Sequence, residues 1–249
     1  MLVVGPQLAW AETDSLHSGN GTVGGTDSQI TMLIGPSDSA FGAAFTSTEF
    51  IAASSGPNAF IIDNHPLWKE HLTSDPSAEW ISTFATGASE GSTALYAIDF
   101  TIDSACFSSS TLDFSFLVDN QLGDSNNEGL FVNEIPVANS KLLGTNTAHF
   151  QVDQSFPTFD ITSHVNTGLN TLYINAVDTG GPSGLQFNAT INVEEIACPQ
   201  PTPVGGELMN IDMSSLFIAG ASANVYWMLP TFVGMVGAAI AALISLRRK

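Results

Sequence analysis

The residues with most chemistry to offer sit in one acidic loop, Asp119-Asn120-Gln121-Leu122-Gly123-Asp124-Ser125-Asn126-Asn127-Glu128. Calcium takes about six to eight oxygens from carboxylates, amides and carbonyls, at roughly 2.3–2.6 Å. Asp124, Asn126 and Glu128 alternate, Asp119 can fold back towards them, and Gly123 supplies a turn. Those four oxygen-bearing residues are the candidate ligands for Ca2+. The spacing is not that of an EF-hand. A solvated turn, in which Asp and Asn side chains cap their own backbone, fits the same residues. A bound cation would also relieve repulsion in so acidic a chain.

Other constellations are weaker. Gly87-Ala88-Ser89-Glu90-Gly91 spells G-x-S-x-G, but that motif marks a nucleophile only at a strand-to-helix elbow. Here it joins two predicted strands and reads as a Gly/Ser turn. His65 and His71 flank Glu70 at a spacing that shares no helical face, and the order is not HExxH. A carboxylate pair for glycoside hydrolysis is defined in space, not in sequence, so numerous acids do not reveal one. Outward aromatic side chains can stack on sugar rings. Trp68, in a polar loop, is the candidate carbohydrate-binding residue; Trp80 and Tyr173 fall in predicted strands. Asn20-Gly21-Thr22 and Asn188-Ala189-Thr190 are glycosylation sequons.

The elements that must position these residues are strands. Between residues 26 and 195 short runs alternate with period two, separated by Gly, Asn, Asp, Ser and Pro. The spacing predicts strands at 29–34, 59–62, 80–84, 94–102, 112–118, 130–133, 148–152, 158–161, 171–177 and 185–193, with a short helix near 66–71. Leu112, Phe114, Phe116 and Val118 share one face, as do Leu185, Phe187, Ala189, Ile191 and Val193. That alternation belongs to antiparallel sheets with one wet side. The expected fold is all-β, a jelly-roll-like antiparallel β-sandwich, plus one C-terminal transmembrane α-helix.

The ends and the composition bear on compartment. Residues 225–246 form an uncharged run of 22, about the ~20 needed to cross a bilayer, closed by Arg247, Arg248 and Lys249. The positive-inside rule puts that end in the cytoplasm. Gly234, Ala238 and Ala242 make a small-residue stripe through which spans can self-associate. Residues 1–11 resemble a signal segment ending Ala9-Trp10-Ala11, without a basic start. The expected organisation is therefore a signal-like segment at 1–11, a flexible stretch at 12–25 and a β-sandwich ectodomain at 26–197. A Pro/Gly-rich linker at 198–224, the span at 225–246 and a basic end at 247–249 follow. Export agrees with a Cys106–Cys198 disulfide, although two free thiols fit the spacing equally well. The chain has 249 residues, 24 acids against 5 Lys or Arg, and a formal charge of -19. Such a surface repels phosphate backbones and excludes nucleic-acid partners.

Two resemblances add to this. Val204-Gly205-Gly206-Glu207-Leu208, Ile211-Asp212, Ala219-Gly220-Ala221 and Trp227-Met228-Leu229-Pro230 resemble the VGGEL-type tail of exported surface proteins of ammonia-oxidising archaea. The resemblance implies attachment at an archaeal cell surface. Val118-Asp119-Asn120-Gln121-Leu122-Gly123-Asp124, Gly129-Leu130-Phe131-Val132-Asn133 and Asn166-Thr167-Gly168-Leu169-Asn170-Thr171-Leu172-Tyr173 are similar to the extracellular galactose-binding-like jelly-roll module, as is Thr179-Gly180-Gly181-Pro182-Ser183-Gly184-Leu185. Asn133-Glu134 departs from the Asn-Gly of that pattern, which puts the tight turn in question because Glu disfavours positive φ. The expected function is a non-enzymatic structural or adhesive surface protein, with surface glycans or envelope proteins as partners. A surface-displayed carbohydrate-binding module is the alternative, and a glycosidase the third reading.

Overall fold

The computed structural model describes residues 11–198, and within them the chain is mostly β. Its strands are β1 (Ala11–His17), β2 (Thr26–Ile34), β3 (Asn58–Ile61), β4 (Ile81–Ser82), β5 (Ala94–Ile102), β6 (Phe107–Asp119), β7 (Gln121–Leu122), β8 (Leu130–Val132), β9 (Ile135–Pro136), β10 (Gln154–Ser155), β11 (Phe159–Asp160), β12 (Gly168–Val177) and β13 (Gly184–Glu195). Two short helices, α1 (Ser47–Ser54) and α2 (Ala148–Gln151), interrupt them.

The strands join in one antiparallel sheet, in the order β10-β6-β13-β4-β3-β2-β5-β12-β8-β9. The sheet bends over at the two-residue β4, which pairs with β13 through Ile81 and Leu185 and with β3 through Ile81 and Ile61. β6, β13 and β1 thus form one layer, and β3, β2, β5, β12 and β8 the other, as in a β-sandwich. Alternation decides what lies between them. Leu112, Phe114, Phe116 and Val118 of β6, and Leu185, Phe187, Ala189, Ile191 and Val193 of β13, point into one core as expected. They meet Ile30 and Met32 of β2, Tyr96, Ile98 and Phe100 of β5, and Leu172 and Ile174 of β12.

Both outer faces are partly covered. Leu95 and Ala97 of β5, with Phe131 and Tyr173, are buried beneath Phe50 and Ala53 of α1. α1 was not evident as a helix, yet its start is written in Thr46-Ser47-Thr48-Glu49, where the Glu49 carboxylate accepts the Thr46 N–H at 2.9 Å. Only Phe50 and Ala53 of its eight residues are buried, too short a stripe to register as periodicity. On the other face, residues 63–79 lie over Leu117, burying Trp68, Leu72 and Ala78.

Several expectations need correction. Residues 12–17 are not a flexible stretch: β1 pairs along its length with β13, from Ala11 opposite Glu194 to His17 opposite Asn188. Residues 148–152 carry α2, because Phe150 turns in against the Trp68 and Trp80 cluster while Val152 is exposed. No helix forms at 66–71. The tight turn at Asn133-Glu134 does form, with φ of 50° and 69°, joining Val132 to Ile135. Asn133 holds it by accepting the Thr171 N–H at 3.0 Å and donating to the His164 carbonyl at 2.8 Å; Ser47 donates to Glu134 at 2.6 Å. The disulfide Cys106–Cys198 is formed, with Cα atoms 5.2 Å apart. Among the described residues no helix is long and apolar enough to cross a membrane. The expected span at 225–246, its Gly234, Ala238 and Ala242 stripe, the linker beyond Cys198 and residues 1–10 lie outside the described residues.

Two stability measurements follow from this fold. Cys106–Cys198 closes a loop with a sequence separation of 92. Loop-closure entropy assigns such a bridge about 4 to 5 kcal/mol, so reduction should lower the unfolding midpoint sharply and proteolysis should begin near residue 198. An unchanged midpoint in reductant would contradict this. At position 134, a left-handed backbone costs a side chain about 1 kcal/mol relative to glycine. Glu134→Gly should therefore exceed Glu134→Ala in stability by about that amount in urea titration.

Candidate functional site

The acidic loop is a self-capped turn. Asp124 Oδ1 accepts the N–H groups of Asn126 at 2.6 Å and Asn127 at 2.9 Å, and its Oδ2 accepts Asn175 Nδ2 at 3.2 Å. Glu128 turns elsewhere: Oε2 accepts the Ser140 N–H at 3.1 Å, and Oε1 lies 3.7 Å from Lys141 Nζ. Asn126 is exposed. Asp119 reaches a third place, against Trp68. Asp124 and Asn126 thus bond to each other through the Asn126 N–H, while Asp119 and Glu128 take separate partners. Among the described residues no three His, Cys, Asp or Glu side chains gather in a metal-binding group. The backbone N–H groups nearest Asp124 compete successfully for its oxygens, as in any Asx turn.

Trp68 is not an exposed platform. It is 5% exposed, its ring centroid lies 4.2 Å from that of Trp80, and its Nε1 donates to Asp119 Oδ2 at 2.9 Å. The correction has a packing reason. Trp68 lies against the backbone of Gly184, where an added Cβ would sit 2.9 Å from the ring. Leu72 and Ala78 close around it. Burial pushes the Asp119 carboxyl up to about 6; the Trp68 hydrogen bond works against that rise and the nearby Asp178 charge adds to it. Asn120 continues the chain of contacts: its carbonyl holds His149 Nδ1 at 2.8 Å, and its Oδ1 accepts the Thr179 N–H at 2.8 Å.

Asp178 links this buried group to an open pocket. Its Oδ2 accepts the Asp38 N–H at 3.2 Å and its Oδ1 the Gly180 N–H at 2.8 Å. Three loops meet there: the one after β2, the β4–β5 connection and the β12–β13 connection. Between them lies an open surface hollow of about 240 Å³, lined by Ser37, Asp38, Phe84, Ser89, Glu90, Gly91 and Gly181, all exposed except Gly91. The walls are tied. Ser37 and Ser92 hydroxyls are 2.9 Å apart, Ser89 donates to the Thr86 carbonyl at 2.9 Å, and Thr86 donates to Glu90 at 3.0 Å. Gly91 passes so close to Ser183 that a Cβ would approach it to 2.2 Å. Phe84 is 39% exposed.

The G-x-S-x-G segment is therefore one wall of this pocket. Ser89 has no histidine beside it there, and no helix follows it. His65, Glu70 and His71 do not converge: His65 Nδ1 accepts the Leu67 N–H at 3.2 Å, while His71 pairs with Glu70 at 3.6 Å. The sequon side chains Asn20 and Asn188 both donate within the protein, to the His17 carbonyl at 2.9 Å and to Asp75 at 3.2 Å. Asn188 faces outward from β13, as its alternation required, and is half-buried. At the other end of the sandwich an open hollow lies among Ala11, Glu12, Asp103 and Glu195. Glu12 already accepts the N–H groups of Asp103 and Ser104 there, at 2.8 and 3.1 Å.

Phe84 ends the strand expected at 80–84, and residues 87–91 alone read as a plain turn. Nothing local ties residues 37–38, 84–91 and 181 together; only the sheet topology does. The close-packed glycines at 91 and 184 were the available signal that backbones converge here.

Known protein families include none that matches this chain, and no curated protein matches it. Among solved structures it is similar to dimeric latent PorU from Porphyromonas gingivalis, at 10% identity and a TM-score of 0.30, covering 72% of this chain and 14% of that one. It is also similar to Arthrobacter globiformis T6 isomalto-dextranase complexed with panose, at 12% identity and a TM-score of 0.30, covering 74% and 32%. The chain spans less than a third of the length of either.

Asp119 supplies the pH prediction for this region. Its carboxyl titrates at about 6 in the fold against 3.8 ordinarily, so the folded state holds the proton more tightly. That contribution is complete below about pH 4 and is lost as pH rises through 6, a difference of about 2 to 3 kcal/mol. Asp119→Asn stays neutral and still accepts from Trp68. The stability gap between variant and wild type should open in the variant's favour from pH 4 to 7, read by chemical denaturation. A constant gap would show that Asp119 is ionised in both states throughout.

Proposed function

We propose that the chain is a membrane-anchored extracellular surface protein, structural or adhesive in role, whose jelly-roll-like sandwich makes its contacts through the loop end. One observation carries this. Ala11 of β1 lies opposite Glu194 of β13, and Cys198, three residues beyond the end of β13, is bridged to Cys106, while the three pocket loops lie at the opposite end of β13. In this reading the contact loops sit at the start of β13 and the chain runs on towards its anchor from the other end of that strand. The uncharged run at 225–246 with its basic stop supports a single span with the C-terminus inside, and the proline-rich stretch before it a spacer. The tail's resemblance supports a place at an archaeal cell surface. The disulfide agrees with an oxidising exterior.

The test uses the full-length protein in lipid vesicles. It should insert through its tail and bind envelope fragments from the cells that produce it. Both native cysteines of the sandwich are bridged, so an introduced thiol is uniquely reactive. A bulky maleimide on Ser89→Cys should abolish envelope binding, and the same label on Leu169→Cys, at the other end of β12, should not. Failure to insert removes the anchor. Equal binding after either label removes the loop end as the contact surface.

A further inference from the structure

We infer that the outer edge of β1 is a docking strip for an extended, basic segment of a partner protein, which adds as one more strand beside it. This surface runs along the side of the sandwich and does not rest on the loop end.

The backbone sets the strip. The Ser18 N–H donates to the Phe187 carbonyl at 3.1 Å, so Ser18 turns its N–H towards β13. In an antiparallel ladder alternate residues face the paired strand. Glu12, Asp14 and Leu16 therefore direct their backbone groups to β13, and Thr13, Ser15 and His17 direct theirs away from it. The His17 carbonyl agrees, since Asn20 Nδ2 takes it at 2.9 Å from outside the ladder. Thr13 and Ser15 are exposed, and β13 is the only strand beside β1 among the described residues. Their N–H and C=O groups are open to another chain. Across the sandwich from β1, the β5 margin is open too. β2 pairs with β5 only as far as Ile98, so residues 99–102 have β12 on one side and no strand on the other among the described residues.

The side chains choose the occupant. Leu16 is buried in the core, and Asp14 and Glu12 precede it on the same face at two-residue steps. Glu12 is taken by the N–H groups of Asp103 and Ser104. Asp14 is half-buried, and among the described residues no hydrogen bond or ion pair holds it. On an added strand the residue facing Asp14 falls in a non-hydrogen-bonded pair, where side chains approach closest. Lys or Arg there sets its cation against the carboxylate. That cation comes from another molecule, because Lys69 and Lys141 lie against Asp153 and Glu128.

The same charge opposes self-association. A second copy of β1 laid antiparallel in full register sets Asp14 against Asp14, and like charges directly opposite are destabilising. Inward charges keep an edge strand from pairing with its own kind. They leave it open to a strand of opposite sign, where main-chain hydrogen bonds supply affinity and alternate side chains select the partner.

The test uses the full-length protein in detergent at physiological salt, with three short labelled peptides. One alternates Lys and Thr, one Lys and Pro, and one Glu and Thr. The Lys–Thr peptide should bind and slow hydrogen exchange at the Thr13 and Ser15 amides, which exchange fast without it. The Lys–Pro peptide carries the same charge but cannot pair as a strand, and should bind at least tenfold more weakly. The Glu–Thr peptide should not bind. Asp14→Lys should reverse the preference between the Lys–Thr and Glu–Thr peptides. Ser15→Pro removes an outward N–H and spares the ladder to β13, so it should weaken Lys–Thr binding at least tenfold at an unchanged unfolding midpoint. Should that midpoint fall, Asp14→Lys decides alone, since it leaves the backbone as it was. Equal binding of the two lysine peptides would show attraction by bulk charge only and overturn the proposal. Slow exchange at Thr13 and Ser15 in the unbound protein would overturn it as well, because the edge would already be covered. So would an Asp14→Lys variant that keeps the original preference.

Discussion

The scarcity of positive charge shapes this molecule more than any single contact. Lys69 and Lys141 are the only Lys or Arg among the described residues, held by Asp153 at 2.6 Å and near Glu128 at 3.7 Å. Several of the other carboxylates are held by neutral donors, the best-held of them by backbone N–H groups. Asp27, fully buried, accepts four: Gly19 and Asn20 at one oxygen, Gln29 and Ile30 at the other. Asp124, Asp178 and Glu12 each accept two in the same manner. Hydrogen bonds to a charged acceptor are worth more than neutral ones, about 1.5–3 kcal/mol. A loop clamped this way needs no partner side chain, so the chain remains ordered between strands while the surface stays acidic.

This explains which parts of the fold were legible. Strands that bury one face announce it through alternation, so the inward sets of β6 and β13 were readable residue by residue. β5 was readable for a different reason. It is buried on both faces, against the core through Tyr96, Ile98 and Phe100 and against α1 through Leu95 and Ala97, so it appears as an apolar run. β1 was not readable. Ala11-Glu12-Thr13-Asp14-Ser15-Leu16-His17 has the composition of a loop, and only its pairing to β13 makes it a strand. An edge strand stabilised by ladder hydrogen bonds leaves little hydrophobic trace.

The candidate site was less legible, because the same residue types serve as turn and as ligand. Asp124 and Glu128 are good cation ligands in composition, and their oxygens go to the nearest N–H donors. Trp68 sits among polar neighbours in sequence, yet the 63–79 segment folds it onto Trp80. Its polar neighbours describe the outside of that segment and not its inside. Conversely, Glu134 argued against a tight turn, but Asn133 imposes it through hydrogen bonds to His164 and Thr171, both distant in sequence. For Trp68, Glu128 and Asn133 a partner remote in sequence decided between two locally reasonable outcomes; for Asp124 the donors two and three residues on decided it.

The loop end shows how these constraints combine. Asp119 and Asp178 are both buried and close enough for the charge of one to raise the proton affinity of the other. Desolvation and, in second place, the Asp178 charge both raise the proton affinity of Asp119. Here Asp178 is what fixes Asp38 and Gly180, two residues beside or lining the open pocket, and Asp119 is what fastens Trp68 beneath the neighbouring loop. The cost is borne at the one place where three loops converge on an exposed aromatic ring.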